Sequence, residues 1–257
     1  MVKALTAEDA QTDSGRHEDS LGVDLLACLA HDLRQPISSA TAAMYGLVGS
    51  DWSTQPNRQE LYTVAFESMA TMSALVDQLL DLSRIEFGAV GARLAPVALA
   101  TVVLEAIEEL RLGPSDISLD FPPHEVSVLA DAALLKRVIV NTLSNAHRYS
   151  PAGGRITVRF SDESGTGTLS VIDHGPGIPA QDLHHLFTRF WRSDSATLPG
   201  SGLGSYLSRR FVEMMGGAID AFETHGGGLT VRIVLGSASR HPTGRALCTA
   251  PFVRPTD

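Results

Sequence analysis

Leu25-Leu26-Ala27-Cys28-Leu29-Ala30-His31-Asp32-Leu33-Arg34-Gln35-Pro36-Ile37 is the stretch from which the rest of the chain can be read. Leu26, Leu29, Leu33, Ile37, Ala40, Met44 and Leu47 recur at three- and four-residue steps, the spacing of one apolar helix seam. His31 lies two residues from Leu29 and two from Leu33, roughly 200° around the helix from each. Its imidazole therefore points away from the seam. Asp32 follows at once, and Pro36, one turn on, removes a backbone hydrogen bond beside it. Taken alone, the stretch also fits a solvated histidine on an ordinary amphipathic helix.

Working outward, the spacing predicts a long helix over about residues 21–48, a turn-rich break at 49–57 anchored by Trp52, and a second long helix over about 58–87. Tyr62, Phe66, Met69, Met72, Val76, Leu79 and Leu82 give that second helix its own stripe, and Gly88 ends it. One antiparallel hairpin has too little surface to bury two stripes. A symmetric dimer forming a four-helix bundle is the simple solution; the alternative packs the helices on the rest of the same chain.

From residue 93 the texture changes. A helix is expected over 97–112, and short strands over 117–121 and 126–129. Asp131 caps a helix that runs to about His147. Strands are expected over 155–160 and 168–172, a helix over 203–215, and a closing hairpin of strands 218–223 and 229–235. Interleaved strands and helices indicate an α/β sandwich. Residues 1–20 are polar and acidic and read as a disordered lead; residues 237–257, with three prolines and no periodicity, read as a flexible tail.

Composition bounds the function. The 257 residues carry a net charge of −9 with no basic run, which argues against a nucleic-acid surface. The two cysteines, Cys28 and Cys248, sit in no metal-ligand spacing and suit a reducing cytoplasm. No apolar run approaches the roughly 18–20 residues of a membrane helix. His184 and His185, being adjacent, should point to different sides of a helix and make a poor metal pair.

Four pieces of the second half belong together. Asn141 and Asn145, four apart in Asn141–Pro151, share a helix face and offer oxygens to a hard cation and donors to phosphate; Arg148 adds charge. Asp173-His174-Gly175-Pro176-Gly177 follows a strand, so its carboxylate can accept from an exocyclic amine while the glycines admit a flat ring. Leu186–Arg192 sets aromatics beside arginines. Gly200-Ser201-Gly202-Leu203-Gly204 opens a helix whose unpaired N–H groups favour phosphate. It is neither a Walker A loop nor a Rossmann fingerprint. Singly, the pieces also fit a capped helix end, a tight turn and a core helix end.

In this order and spacing, Asn141–Pro151, Asp173–Gly177, Phe187–Phe190 and Gly200–Gly204 resemble the N, first-glycine, F and second-glycine boxes. Those boxes mark the ATP-binding domain shared by sensor histidine kinases, Hsp90, MutL and type II topoisomerases. Residues 29–36 resemble the phosphoacceptor box of the histidine kinases of two-component systems alone. Phe211–Gly217 with Gly226–Thr230 is similar to potassium-responsive kinases.

The resemblance implies a fold of α plus α/β class. A helical-hairpin dimerisation and phosphoacceptor domain (21–88) would precede an α/β sandwich ATP-binding domain of the Bergerat type (89–236) with a short lid at about 191–201. It implies ATP and Mg²⁺, with Asn145 on the metal. Asn141, Arg148 and Tyr149 would lie at the nucleotide, with Asp173, Gly175 and Gly177 at adenine and Gly202, Leu203 and Gly204 facing the triphosphate. It implies autophosphorylation at His31 assisted by Asp32, a homodimer, and a response regulator as partner. Gln35 and His174 depart from the residues common in the family, as do Ser205 and Tyr206, which replace small apolar ones. No sensory domain fits in the first 20 residues, so the expectation is a fragment of a longer protein, input from a partner such as a separate sensor protein, or sensing through the dimer helices. A non-catalytic scaffold that binds a response regulator or partner kinase is the competing expectation. Either form is expected in the cytoplasm.

Overall fold

The computed structural model describes residues 30, 32–48, 58–88, 91–151, 153–163, 165–193 and 200–238. His31, Cys28, Trp52, the lead, the tail from residue 239 and residues 194–199 of the expected lid lie outside them; Ser237 and Ala238, expected in the flexible tail, instead donate to the Gly165 and Ser127 carbonyls. The chain forms two compact units, one of Met1–Ser83 with Ser195–Ser201 and the other of Arg84–Asp194 with Gly202–Asp257, so the last turn of the second helix groups with the second unit.

The first unit is built on two helices, α1 (residues 32–48) and α2 (Arg58–Glu86). Both follow the expected periodicity, and α1 runs through Pro36, which is itself buried. Gly46 lets them approach: a Cβ there would sit 3.0 Å from the Leu61 Cδ1. Among the described residues of the two helices, Ala43, Ala65, Ser68, Leu75 and Leu82 are buried. Much of the apolar stripe read from sequence lies elsewhere. Ile37, Met44, Phe66, Met69 and Val76 remain exposed.

The second unit holds β1 (Ala95–Ala98), α3 (Leu99–Glu109), β2 (Ile117–Asp120), β3 (Ser127–Ala130), α4 (Ala132–Tyr149), β4 (Ile156–Glu163), β5 (Thr166–Ile172), a 3₁₀ turn Leu183–His185, α5 (Gly204–Met214), β6 (Ala218–Glu223) and β7 (Leu229–Gly236). The main sheet has the order β2-β4-β5-β7-β6, with β2 parallel to β4 and the other pairs antiparallel. β1 and β3 form a separate antiparallel ribbon. Alternation in β4 sends Ile156, Val158 and Phe160 inward and Arg159 outward. The inward side chains meet Leu135, Val138, Ile139 and Leu143 of α4, all fully buried. The expected α/β sandwich is therefore present.

Two local expectations are corrected. The helix placed over 97–112 is a strand followed by the shorter α3. Pro96 has no N–H and biases its neighbour to extended backbone, so residues 95–98 pair with β3 before the helix can start. His184 and His185 do not diverge; on the 3₁₀ turn their ring centroids lie 3.8 Å apart. Among the described residues no His, Cys, Asp and Glu cluster could hold a metal, and no helix is long and apolar enough to cross a membrane.

Candidate functional site

The site is organised by α4. Asp131 starts it, accepting from the Ala133 and Leu134 N–H groups at 3.0 and 3.2 Å and from the Arg93 N–H at 3.0 Å. Those donors, the Arg93 N–H foremost, hold its carboxyl below the usual range. Pro151 prevents continuation beyond Ser150, whose backbone is already extended. Between these ends the helix buries one stripe, and the two asparagines flank it, half-buried.

Asn141 turns toward α5. Its Nδ2 donates to the Ser208 Oγ at 3.0 Å, and Ser208 donates in turn to the Gly204 carbonyl at 2.9 Å. A Cβ on Gly204 would fall 2.1 Å from the Asn141 Oδ1, so only glycine lets α5 begin this close to α4. Leu203, fully buried, gives α5 no side-chain cap. The first turn of α5 therefore presents backbone donors and the positive end of its dipole beside Asn141, an arrangement suited to an anion. Asn145, one turn further along α4, makes no side-chain hydrogen bond among the described residues. Its carboxamide oxygen is thus open to a hard cation, which needs few protein oxygens when phosphates and waters complete its shell. Arg148 is exposed in the last turn of α4, and Tyr149 is partly so.

The far end of α4 meets the turn after β5. The Tyr149 carbonyl oxygen lies against Gly175, where a Cβ would come within 2.4 Å. Asp173 is 6% exposed. Its Oδ1 accepts from the Gly175 N–H at 2.9 Å and the Leu229 N–H at 3.1 Å. Both donors meet the same oxygen, which leaves Oδ2 for a donor on a ligand. Burial pushes the carboxyl above its usual range, and the two N–H bonds pull against that.

The structure thus brings Asn141, Asn145, Tyr149, Asp173, Gly175, Gly177 and Gly204 together around α4. Asp32, half-buried, belongs to the other unit. Sequence reasoning missed the part played by β7. Gly228, at φ +110°, runs so close to the Asp173 backbone that a Cβ would lie 2.1 Å from its carbonyl oxygen, and Gly177 abuts it. Behind it, buried Thr224 and Thr230 share a 2.8 Å hydroxyl contact. Gly226-Gly227-Gly228 reads as a hairpin turn, but three glycines exceed what a tight turn needs, and that excess was the available signal.

Residues 130–239 match the family described as histidine kinase-, DNA gyrase B- and HSP90-like ATPase, and residues 23–88 match the His kinase A phosphoacceptor domain. The sensor protein KdpD of Mycobacterium tuberculosis is 34% identical over 256 residues, 93% of this chain and 29% of KdpD. A solved structure of the mycobacterial sensor histidine kinase MprB is 35% identical, with a TM-score of 0.51, and covers 56% of this chain and 98% of that one. The Acinetobacter baumannii histidine kinase AdeS, 23% identical, shares the fold with a TM-score of 0.61 over 81% of this chain and 98% of its own.

Proposed function

The chain belongs to the histidine kinase family, and from that premise we propose that it is the catalytic core of a two-component signalling kinase. It transfers the γ-phosphoryl group of ATP to His31 and then to an aspartate of a response regulator. The chain spans less than a third of KdpD's length, so input from a separate sensor or a further domain is part of the proposal. What carries the reading is the convergence on α4 of a buried Asp173, an open Asn145 carboxamide and the uncapped start of α5.

Each residue has a role that its chemistry allows. Asp173 Oδ2 accepts from the adenine amino group, while Gly175, Gly177 and Gly228 keep the walls flat enough for the ring. The N–H groups of α5, with Gly202 and Leu203 at its entrance, receive the phosphates, and Arg148 adds positive charge at the rim. Asn141 holds α5 against α4 through Ser208. Asn145 would be the protein ligand for Mg²⁺, which would neutralise phosphate charge there.

The neutral His31 Nε2 attacks the γ-phosphorus. An N–P bond forms, the bond to the bridging oxygen breaks, and ADP leaves with that electron pair. Asp32 takes the Nδ1 proton, which keeps the imidazole nucleophilic near neutral pH. Transfer of this kind depends on alignment and charge neutralisation, which is what the α4 site can supply. The hairpin is the dimerisation domain, and its exposed stripe is the surface a second copy covers.

The test is incubation with γ-labelled ATP and Mg²⁺, followed by acid and base treatment. Acid-labile, base-stable label is expected on the wild type and none on His31→Gln. Label retained by His31→Gln would overturn the site assignment.

A further inference from the structure

Arg189, at the start of the lid, is held from two sides within the second unit. Its Nη1 pairs with the Glu86 Oε1 at 2.5 Å, and its Nη2 donates to the Tyr206 hydroxyl at 2.9 Å. The guanidinium also lies over the Tyr206 ring, 4.8 Å from its centroid. Tyr206 is in the first turn of α5, on the far side of the helix from Asn141's contact at Gly204.

The backbone beside Arg189 is under constraint. Phe190 has φ +59°, a left-handed conformation that an aromatic L residue adopts at a cost and keeps only where its surroundings hold it. Gly202, at the other end of the lid, is pressed against this turn: a Cβ would lie 2.6 Å from the Phe190 carbonyl carbon and 2.8 Å from the Trp191 oxygen. The segment leading into the lid and the incoming helix therefore touch at their roots, and Arg189 with Tyr206 is a polar contact that ties them.

We propose that Arg189 and Tyr206 are a positioning pair, which sets nucleotide affinity by fixing the lid roots, and that Glu86 aims the guanidinium. Neither side chain needs to touch the nucleotide. They act by keeping the start of α5, and hence its N–H groups, beside Asn141. The aromatic at 206 takes the place of a small apolar residue, so the pair depends on this chain's own sequence. The inference rests on the functional reading above.

The experiment measures the affinity of the 257-residue chain for a fluorescent ATP analogue and for ADP, together with KM and kcat for autophosphorylation. Tyr206→Leu should raise the dissociation constant and KM by about tenfold, as expected from losing a hydrogen bond and a cation–π contact to one guanidinium. The melting temperature and kcat should stay near wild type. Tyr206→Phe keeps the ring and should lose about threefold. Glu86→Gln combined with Tyr206→Leu should cost less than the product of the two single effects, because both partners hold the same group. A merely structural role would lower the melting temperature and the active fraction and leave KM unchanged. Unchanged affinity in both Tyr206 variants, or strictly multiplicative effects, would overturn the inference alone. No nucleotide binding by the wild type would overturn the functional reading and this inference with it.

Discussion

In the second unit Leu135, Val138, Ile139 and Leu143 of α4 are fully covered by that unit's own sheet, whereas in the hairpin Tyr45 and Phe66 stand 75% and 67% exposed. Both regions carry regular apolar stripes. They differ in whether one copy of the chain can cover them. The α/β unit has a sheet whose inward face matches a layer of three helices, so its core closes on itself. The hairpin, among the described residues, has two helices. Ala43 and Ala65 are buried and Gly46 lies against Leu61, while several larger apolar side chains, Met44, Tyr45, Phe66 and Met69 among them, stand exposed. Covering each such side chain is worth about 1.5–3 kcal/mol, so a stripe of them is a strong reason for a second copy to dock. On the proposed reading, the chemistry of binding belongs to the self-sufficient unit and the dependence on concentration to the other.

The change that should separate the two regions most sharply is Gly204→Val. The new Cβ would sit 2.1 Å from the Asn141 Oδ1, so α5 must move away from α4 and its N–H groups leave the phosphate position. Nucleotide affinity should fall by about 100-fold, equivalent to about 2.7 kcal/mol. Oligomeric state, which the proposed reading assigns to the hairpin, should not change. Calorimetry with ADP and light scattering on the same sample check both halves. A loss of dimer along with binding would break the division of labour.

Much of this division was legible in the sequence. The helical steps of Phe66, Met69 and Val76 implied a stripe, and the N-cap at Asp131 and the alternation in 156–160 placed α4 and β4. Three things were not legible. Periodicity identifies an apolar stripe without saying which of its members face the partner helix; here the small residues took that face. The strand at 95–98 was hidden because Leu99 onward is helical and only Pro96 marks the boundary. The contribution of Gly228 and Leu229 to Asp173 depends on β7 lying next to β5, a pairing between residues more than fifty apart that no local pattern encodes.

The converse variant is Phe66→Glu. A charge placed in the covered stripe must be desolvated in the dimer, once per copy, and costs little in the separated chain, where Phe66 is exposed. The dimer dissociation constant should rise by about tenfold or more. Nucleotide affinity of the α/β unit should stay within about twofold, inside the spread of distant, independent substitutions. Sedimentation velocity over a concentration series reads the first, and analogue titration at one concentration reads the second. An unchanged dimer would mean that the exposed stripe is covered by something other than a second copy.

The smallest effect concerns pH and isolates a single group in the α/β unit. Burial raises the Asp173 carboxyl above its ordinary value of 3.8. Only the ionised form can accept from an adenine amino group without offering a proton of its own, so nucleotide affinity should begin to fall on acidification before an ordinary aspartate would respond. Stability of the nucleotide-free protein should move the other way. Between the unfolded and the folded value the folded state binds the extra proton, so this group's contribution to stability falls as pH rises through that window and is level above it. Asp116, Asp131 and Glu213 have lowered carboxyls and lose their contributions as pH drops, which would mask the effect in a single melting curve. The difference between wild type and Asp173→Asn removes them. In that difference, melting temperature should favour the wild type progressively on acidification. ADP affinity of the wild type should fall on acidification from about pH 7.5, starting at a higher pH than for an ordinary aspartate, while that of Asp173→Asn, lower throughout, stays flat. Parallel profiles for the two proteins would show that another group titrates in the site, and that the self-contained core does not tune the carboxylate it encloses.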